Sequence, residues 1–180
     1  MSSQSFPIFD LGAFEAADHE EKRRLGAEVD RICRSTGFLA IANHSVADAI
    51  IADVWEKTHS FFDLPPEVKQ RAKTLYPGYP YGYLGPGTEA LAKSRNVDTP
   101  PDLKESFNGG PLAVPLGMSD PEALGFCYAD TIWPEGPEGF MDAWKAYYRS
   151  MEDLAARIMR VFATALGLRS EEHTSELQSP

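Results

Sequence analysis

The sequence predicts an α+β fold, helices with a few short strands. Two short apolar runs bounded by turn residues, at 6–11 and 37–44, read as strands. The clearest periodic stretch, about 137–166, reads as a long amphipathic helix. With 180 residues, 43% hydrophobic and 24% charged, the chain is long enough for one domain with a real core.

Residues 6–11, at the start, are apolar and extended in character. Asp18 then stands three residues before Glu21, the arrangement of a capping box. Leu25, Val29, Ile32 and Cys33 share one face of the helix that begins there, and Glu21, Lys22, Arg23, Glu28 and Arg31 fill the other. Gly37 suits the left-handed residue that ends it. Residues 37–44 are a continuous apolar run, expected to be a strand buried on both faces. Ser45 is placed to cap a second helix with Ile50, Ile51, Val54, Thr58, Phe61 and Phe62 as its inner stripe. Leu64-Pro65-Pro66 closes that helix and opens a short, mostly polar one over 66–74.

Residues 76–101, rich in Pro, Gly and Tyr, read as one long loop. The segment 102–108 alternates Leu103, Glu105 and Phe107 against Lys104 and Ser106, as a strand does. Residues 109–137 again read as loop. In the last helix Phe140, Trp144, Tyr147, Tyr148, Met151, Leu154, Ile158, Phe162 and Leu166 recur at spacings of three and four, between Pro137 and Gly167. This face calls for a partner layer. Residues 169–180, RSEEHTSELQSP, are polar and aperiodic, and resemble the translated frame of a sequencing-library adapter. The expected organisation is therefore one domain over 1–168 and a non-native or disordered tail over 169–180, with the native sequence cut near Leu168.

The formal net charge of -10 disfavours nucleic acid as a partner, because phosphates would be repelled. No apolar run is long enough to span a bilayer, and no signal peptide is legible, so a cytoplasmic location is expected. Cys33 and Cys127 read as free thiols.

Chemistry at a mononuclear non-haem iron(II) site needs two His and one carboxylate on one face of the metal, usually announced by His-x-Asp or His-x-Glu. His19, His44, His59 and His173 have no acidic residue two positions on, and no His-Glu-x-x-His occurs. His44, at the end of a strand, reads as a ring that hydrogen-bonds a turn, and His59 as a solvated helix residue. Gly82-Tyr83-Leu84-Gly85-Pro86-Gly87 matches no phosphate loop and reads as a tight turn. Tyr76, Tyr79, Tyr81 and Tyr83 could form an aromatic platform, but such tyrosines more often pack their rings and bond their hydroxyls. Ser60 and Ser106 have no acid and His nearby in sequence, so a hydrolase triad has no support.

Taken together, segments over residues 6–168 resemble the N-terminal region of the isopenicillin N synthase-like, 2-oxoglutarate- and iron(II)-dependent dioxygenases. Pro7-Ile8-Phe9-Asp10-Leu11 resembles the opening strand of that family, and Gly37 to His44 its next strand. Phe61-Phe62-Asp63-Leu64-Pro65 with Lys69, Gly82-Tyr83 with Glu89, Asp102 to Phe107, Trp133-Pro134 and Ala165-Leu166-Gly167-Leu168 continue the likeness in order. Two departures stand out: Ser45 where the family commonly has Gly, and Pro80-Tyr81 where many members carry Arg.

The resemblance implies an intact parent in which iron(II) and 2-oxoglutarate are held in a double-stranded β-helix, a jelly-roll barrel, and a small molecule is oxidised with O2. Both cofactors would lie on sequence outside this chain. The chain itself is expected to have no catalytic or metal residue, to bind neither cofactor and to be inactive. The barrel is expected to be mostly missing. Tyr81, Tyr83, Lys104 and Ser106 are the substrate-proximal candidates, at the rim of the substrate mouth. The competing reading is a non-enzymatic α+β interaction module.

Overall fold

The computed structural model describes residues 6–88 and 103–168. In chain order its elements are β1 (Ile8–Asp10), α1 (Leu11–Ala16), α2 (His19–Thr36), β2 (Ala40–Ala42), α3 (Asp48–Phe62), α4 (Pro66–Lys69), a 3-10 turn (Gln70–Ala72), β3 (Gly82–Leu84), β4 (Ser106–Asn108), α5 (Pro121–Gly125) and α6 (Phe140–Ala165). The chain divides into two compact units, Met1–Ala47 with Arg149–Pro180, and Asp48–Tyr148. The tail at 169–180 and Glu89 fall outside the described residues.

In the first unit the chain enters as β1 and turns at once into α1, a helix that the sequence pattern does not announce. The strand stops at Asp10 because the Asp10 carboxylate accepts the Ala13 amide at 2.9 Å and caps a helix there. Asp18 does the same for α2, accepting from Glu21 N at 2.9 Å. The Glu21 carboxylate bonds Arg24, so the expected box is seen from one side only. Gly37 ends α2 at φ 73°. Strands β1 and β2 pair in parallel, with Phe9 opposite Ile41. Phe9, Leu11, Phe14, Val29 and Val161 form the core, with Leu25, Cys33, Leu154 and Phe162 around it. A Cβ on Gly26 would lie 2.9 Å from Thr164 Cγ2, so the glycine is what lets α2 and α6 pack this closely.

The expectation that residues 37–44 are buried on both faces is corrected. Only 40–42 are strand, and all three are half-buried. Among the described residues β2 has β1 as its sole strand partner, and Ile8 and Phe38 remain exposed.

In the second unit Phe61, Ala72, Tyr83, Phe107 and Phe140 form the core, flanked by Phe62, Leu64, Trp133 and Trp144. The rings meet mostly edge to face, with Phe61–Phe107 at 5.6 Å and Phe107–Phe140 at 5.2 Å between centroids. The apolar face at the start of α6 therefore has partners in this chain. Of the stripe expected on α3, only Phe61 is fully buried, and Ile51 is exposed.

Four further expectations are corrected here. The helix read over 66–74 is α4 and then the 3-10 turn, and its Lys69 is buried. The loop read over 76–101 contains β3, and the turn read over 82–87 shrinks to its end at Gly87, φ 80°. The loop over 109–137 contains α5, capped by Asp120. β3 is hidden in the sequence because its partner β4 lies more than twenty residues away, and non-local pairing leaves no local period to read. β4 itself begins only at Ser106, and Leu103 is exposed.

The long helix ends as its sequence predicts. Gly167 stands at φ 69°, its N–H bonding Thr164 O at 3.1 Å, and Leu168 N–H reaches Ala163 O at 2.8 Å. These two bonds make a Schellman cap. No helix among the described residues is long and apolar enough to cross a membrane.

Candidate functional site

The four residues singled out from the sequence gather about one feature of the second unit, the antiparallel β3–β4 ladder. Gly82 faces Asn108, Tyr83 faces Phe107 and Leu84 faces Ser106. Only glycine fits the first position: φ is 142°, and a Cβ would stand 2.9 Å from Ala72 O. That close approach lets Thr74 N–H reach Tyr83 O at 3.4 Å and ties the strand to the 3-10 turn.

Beside the ladder lies a partly buried polar network. Lys69, 5% exposed, donates from Nζ to Glu105 Oε2 at 2.6 Å and to Phe62 O at 2.9 Å. Tyr83 donates its hydroxyl to the same Glu105 Oε2 at 2.8 Å. The carboxylate thus takes two donors, and the ammonium is both paired and bonded to a carbonyl, as a buried charge requires. The Lys69 and Tyr83 hydrogen bonds hold the Glu105 carboxyl below the usual carboxylate range. Burial first, and the neighbouring carboxylate second, push the Tyr83 phenol up to about 12. This hydroxyl stays protonated and acts as a fixed donor.

The candidates have different places around this network. Tyr83 is 1% exposed and belongs to the core beside the ladder, which its glycine-rich neighbourhood in the sequence does not reveal. Tyr81 is half-buried. Its ring lies against Gly110, where a Cβ would come within 2.5 Å, and its hydroxyl donates to Cys127 O at 2.7 Å. Lys104 is exposed and Ser106 half-buried on β4. Asn108, exposed two residues on, shares the Ser106 side of the strand. It was missed, although strand alternation continued from Ser106 finds it. Lys69 and Glu105 were not singled out either. The available signal was a carboxylate on the Leu103–Phe107 side of the alternation, where a charge needs a partner.

The tyrosine row is packing. Tyr76 and Tyr79 meet edge to face at 5.3 Å, and Tyr79, Tyr81 and Tyr83 each commit their hydroxyls within this unit. A cleft of about 320 Å³ lies beside β3, with Thr74, Tyr76, Tyr83, Leu84 and Thr88 in its wall. A second, of about 280 Å³, is lined by Leu112, Tyr128, Asp130, Trp133 and Lys145.

An iron site needs several donors brought to one point. Among the described residues no three His, Cys, Asp or Glu side chains are grouped to hold a metal. His44 Nδ1 accepts from Val46 N at 3.1 Å, and exposed His59 bonds the Trp55 carbonyl through Nδ1 at 2.9 Å. The described residues do not fit a two-histidine, one-carboxylate iron site.

The family model of the non-haem dioxygenase N-terminal region, described for morphine synthesis, matches residues 6–136. The chain belongs to this family. Among curated relatives of this dioxygenase N-terminal region, the validamycin A dioxygenase of Streptomyces hygroscopicus subsp. limoneus is 30% identical over 97% of this chain and 47% of its own length. A homoarginine-6-hydroxylase of Arabidopsis thaliana is 28% identical over 89% of this chain and 45% of its own. The isopenicillin N synthase of a Flavobacterium is 26% identical, over 89% and 48%. The chain spans about half the length of the curated relatives it matches. In fold it is similar to a 2OG-Fe(II) oxygenase family protein from Caulobacter crescentus, with a TM-score of 0.73 at 21% identity over 94% of this chain and 51% of that one. A rice dioxygenase for auxin oxidation gives 0.63 at 23%, over 92% and 47%.

Proposed function

We propose that this region serves an oxygenase of the relatives' length as the braced rim of its substrate mouth. In that protein, iron(II) and 2-oxoglutarate are held by residues outside this chain and supply the oxidising chemistry. The substrate is a small molecule, as the names of the relatives suggest, and the protein is cytoplasmic. Alone, residues 1–168 bind neither cofactor and are inactive, and residues 169–180 take no part.

The observation that carries this reading is the Lys69–Glu105–Tyr83 network beside the β3–β4 ladder. A site that positions substrate for an oxidation needs its rim held to fractions of an ångström. Here the network fixes Glu105, and so fixes Lys104 and Ser106 on either side of it. Lys104 and Ser106 then present a cation and a hydroxyl at the rim. Tyr81 closes the approach through its bond to Cys127 O, and Tyr83 serves the rim from within as a positioning residue.

The test uses the genomic reading frame that contains residues 6–168, translated through its downstream codons. Its protein, with iron(II) and ascorbate, is expected to consume O2 only with 2-oxoglutarate present and to release succinate. Ser106→Ala and Lys104→Ala are expected to raise KM for the oxidised substrate. No 2-oxoglutarate-dependent turnover across a panel of small-molecule substrates would sink the proposal and leave an interaction module as the better reading.

A further inference from the structure

The Asn43–Ser45 turn in the first unit is built on strain held by polar groups. Asn43 and Ser45 both adopt left-handed φ, 53° and 60°, which side chains other than glycine rarely take. Three contacts offset the cost. Asn43 Nδ2 donates to Asp10 Oδ2 at 2.7 Å. Arg157, from α6, donates to His44 O at 2.7 Å while gripping Glu15 of α1 at 2.6 and 2.7 Å. The third contact depends on protonation. Val46 N–H donates to His44 Nδ1 at 3.1 Å, so that nitrogen must present a lone pair and any ring proton must sit on Nε2.

We propose that this turn is a pH-sensitive device, in which a proton on His44 Nδ1 expels the Val46 amide and releases the turn that delivers the chain to Asp48, the first residue of α3. A protonated ring is a donor at both nitrogens and cannot accept the Val46 bond. Histidine is the ordinary side chain that changes charge between about pH 5 and about pH 8. The charged groups gathered round the turn act in both directions. Arg157 opposes a second cation next to it, and Glu15 and Asp10 favour one. Both carboxylates already have partners, Glu15 in Arg157 and Asp10 in Asn43 and the Ala13 amide. Neutral His44 supports the turn, so the turn is firm at high pH and loosens as pH falls.

The experiment is an NMR study of the chain at about pH 8 and about pH 5. Long-range nitrogen spectra give the His44 tautomer, and hydrogen exchange, normalised to the intrinsic rate, gives the protection of the Val46 amide. The expected result is an Nε2–H ring at high pH, and a loss of Val46 protection of roughly five- to tenfold on acidification, the effect of one net hydrogen bond. His44→Asn keeps an acceptor for the amide two residues on but does not titrate, and its Val46 protection is expected to stay level. A proton on Nδ1 at high pH, or protection that survives acidification, would overturn the proposal, as would an equal loss in the Asn variant. If that variant fails to fold, the tautomer and protection of the unaltered chain decide by themselves.

Discussion

Lys69 Nζ and Glu105 Oε2 meet at 2.6 Å across 36 residues of sequence, with Lys69 buried and Glu105 accepting Tyr83 as well. This pair ties α4 to the segment leading into β4. Removing one partner leaves a buried charge uncompensated. Glu105→Ala is expected to cost about 3 kcal/mol, the low end for such breaks because Glu105 is partly exposed. Lys69→Met with Glu105→Leu together should cost less than Glu105→Ala alone. Urea unfolding of the two variants measures both. A double variant as unstable as the single one would show that the pair itself, not the orphaned charge, carries the effect.

The same pair sets an acid limit. The Lys69 and Tyr83 hydrogen bonds depress the Glu105 carboxyl, so the folded state holds its proton less tightly than the unfolded state. The stabilisation is present above the unfolded carboxyl value and is lost as pH falls through the folded one. The urea midpoint is expected to drop as pH falls below the ordinary carboxylate range, and to drop less in Glu105→Gln. Equal acid sensitivity in both proteins would assign the loss to other carboxylates.

Ser45 holds a left-handed φ of 60°, a conformation that costs a residue with a Cβ. At φ 60° a serine Cβ crowds its own backbone. Ser45→Gly should therefore stabilise the chain by about 1 kcal/mol, seen as a higher urea midpoint with an unchanged slope. A destabilised variant would mean that the Ser45 side chain has a use beyond the backbone.

Gly110 is where the Tyr81 ring rests. A methyl there would stand 2.5 Å from the ring, so Gly110→Ala should displace Tyr81 and break its hydroxyl bond to Cys127 O. Overpacking of this kind costs about 1–3 kcal/mol. Tyr81→Phe should lose the bond without the clash and cost less. Thermal melts of the two variants give the comparison.

Local chemistry was the part of this fold legible in the sequence. Asp18, Gly37 and Gly167 cap helices where their side chains or their lack of one dictate, and the α6 stripe marks its own length. What escaped the sequence was non-local. β3 forms because Tyr83 finds Phe107, and the polar-looking segment after Pro66 buries Lys69 because Glu105 arrives from far along the chain. Of the candidate residues, Lys104 is exposed, and Tyr81 and Ser106 are half-buried, about one ladder. Tyr83 proved to be core, since burial depends on Phe61 and Phe140, which no local pattern connects to it. Asn108 lies inside the segment 102–108 read as a strand, one alternation beyond Ser106.

The most direct measurement is anaerobic titration of the chain with iron(II), with and without 2-oxoglutarate, and then desalting and metal analysis. If this region braces a substrate mouth and supplies no ligand, the iron retained should not exceed that of a protein lacking a site, and 2-oxoglutarate should not change it. Retention of one iron per chain, lost on His44→Ala or His59→Ala, would contradict that role.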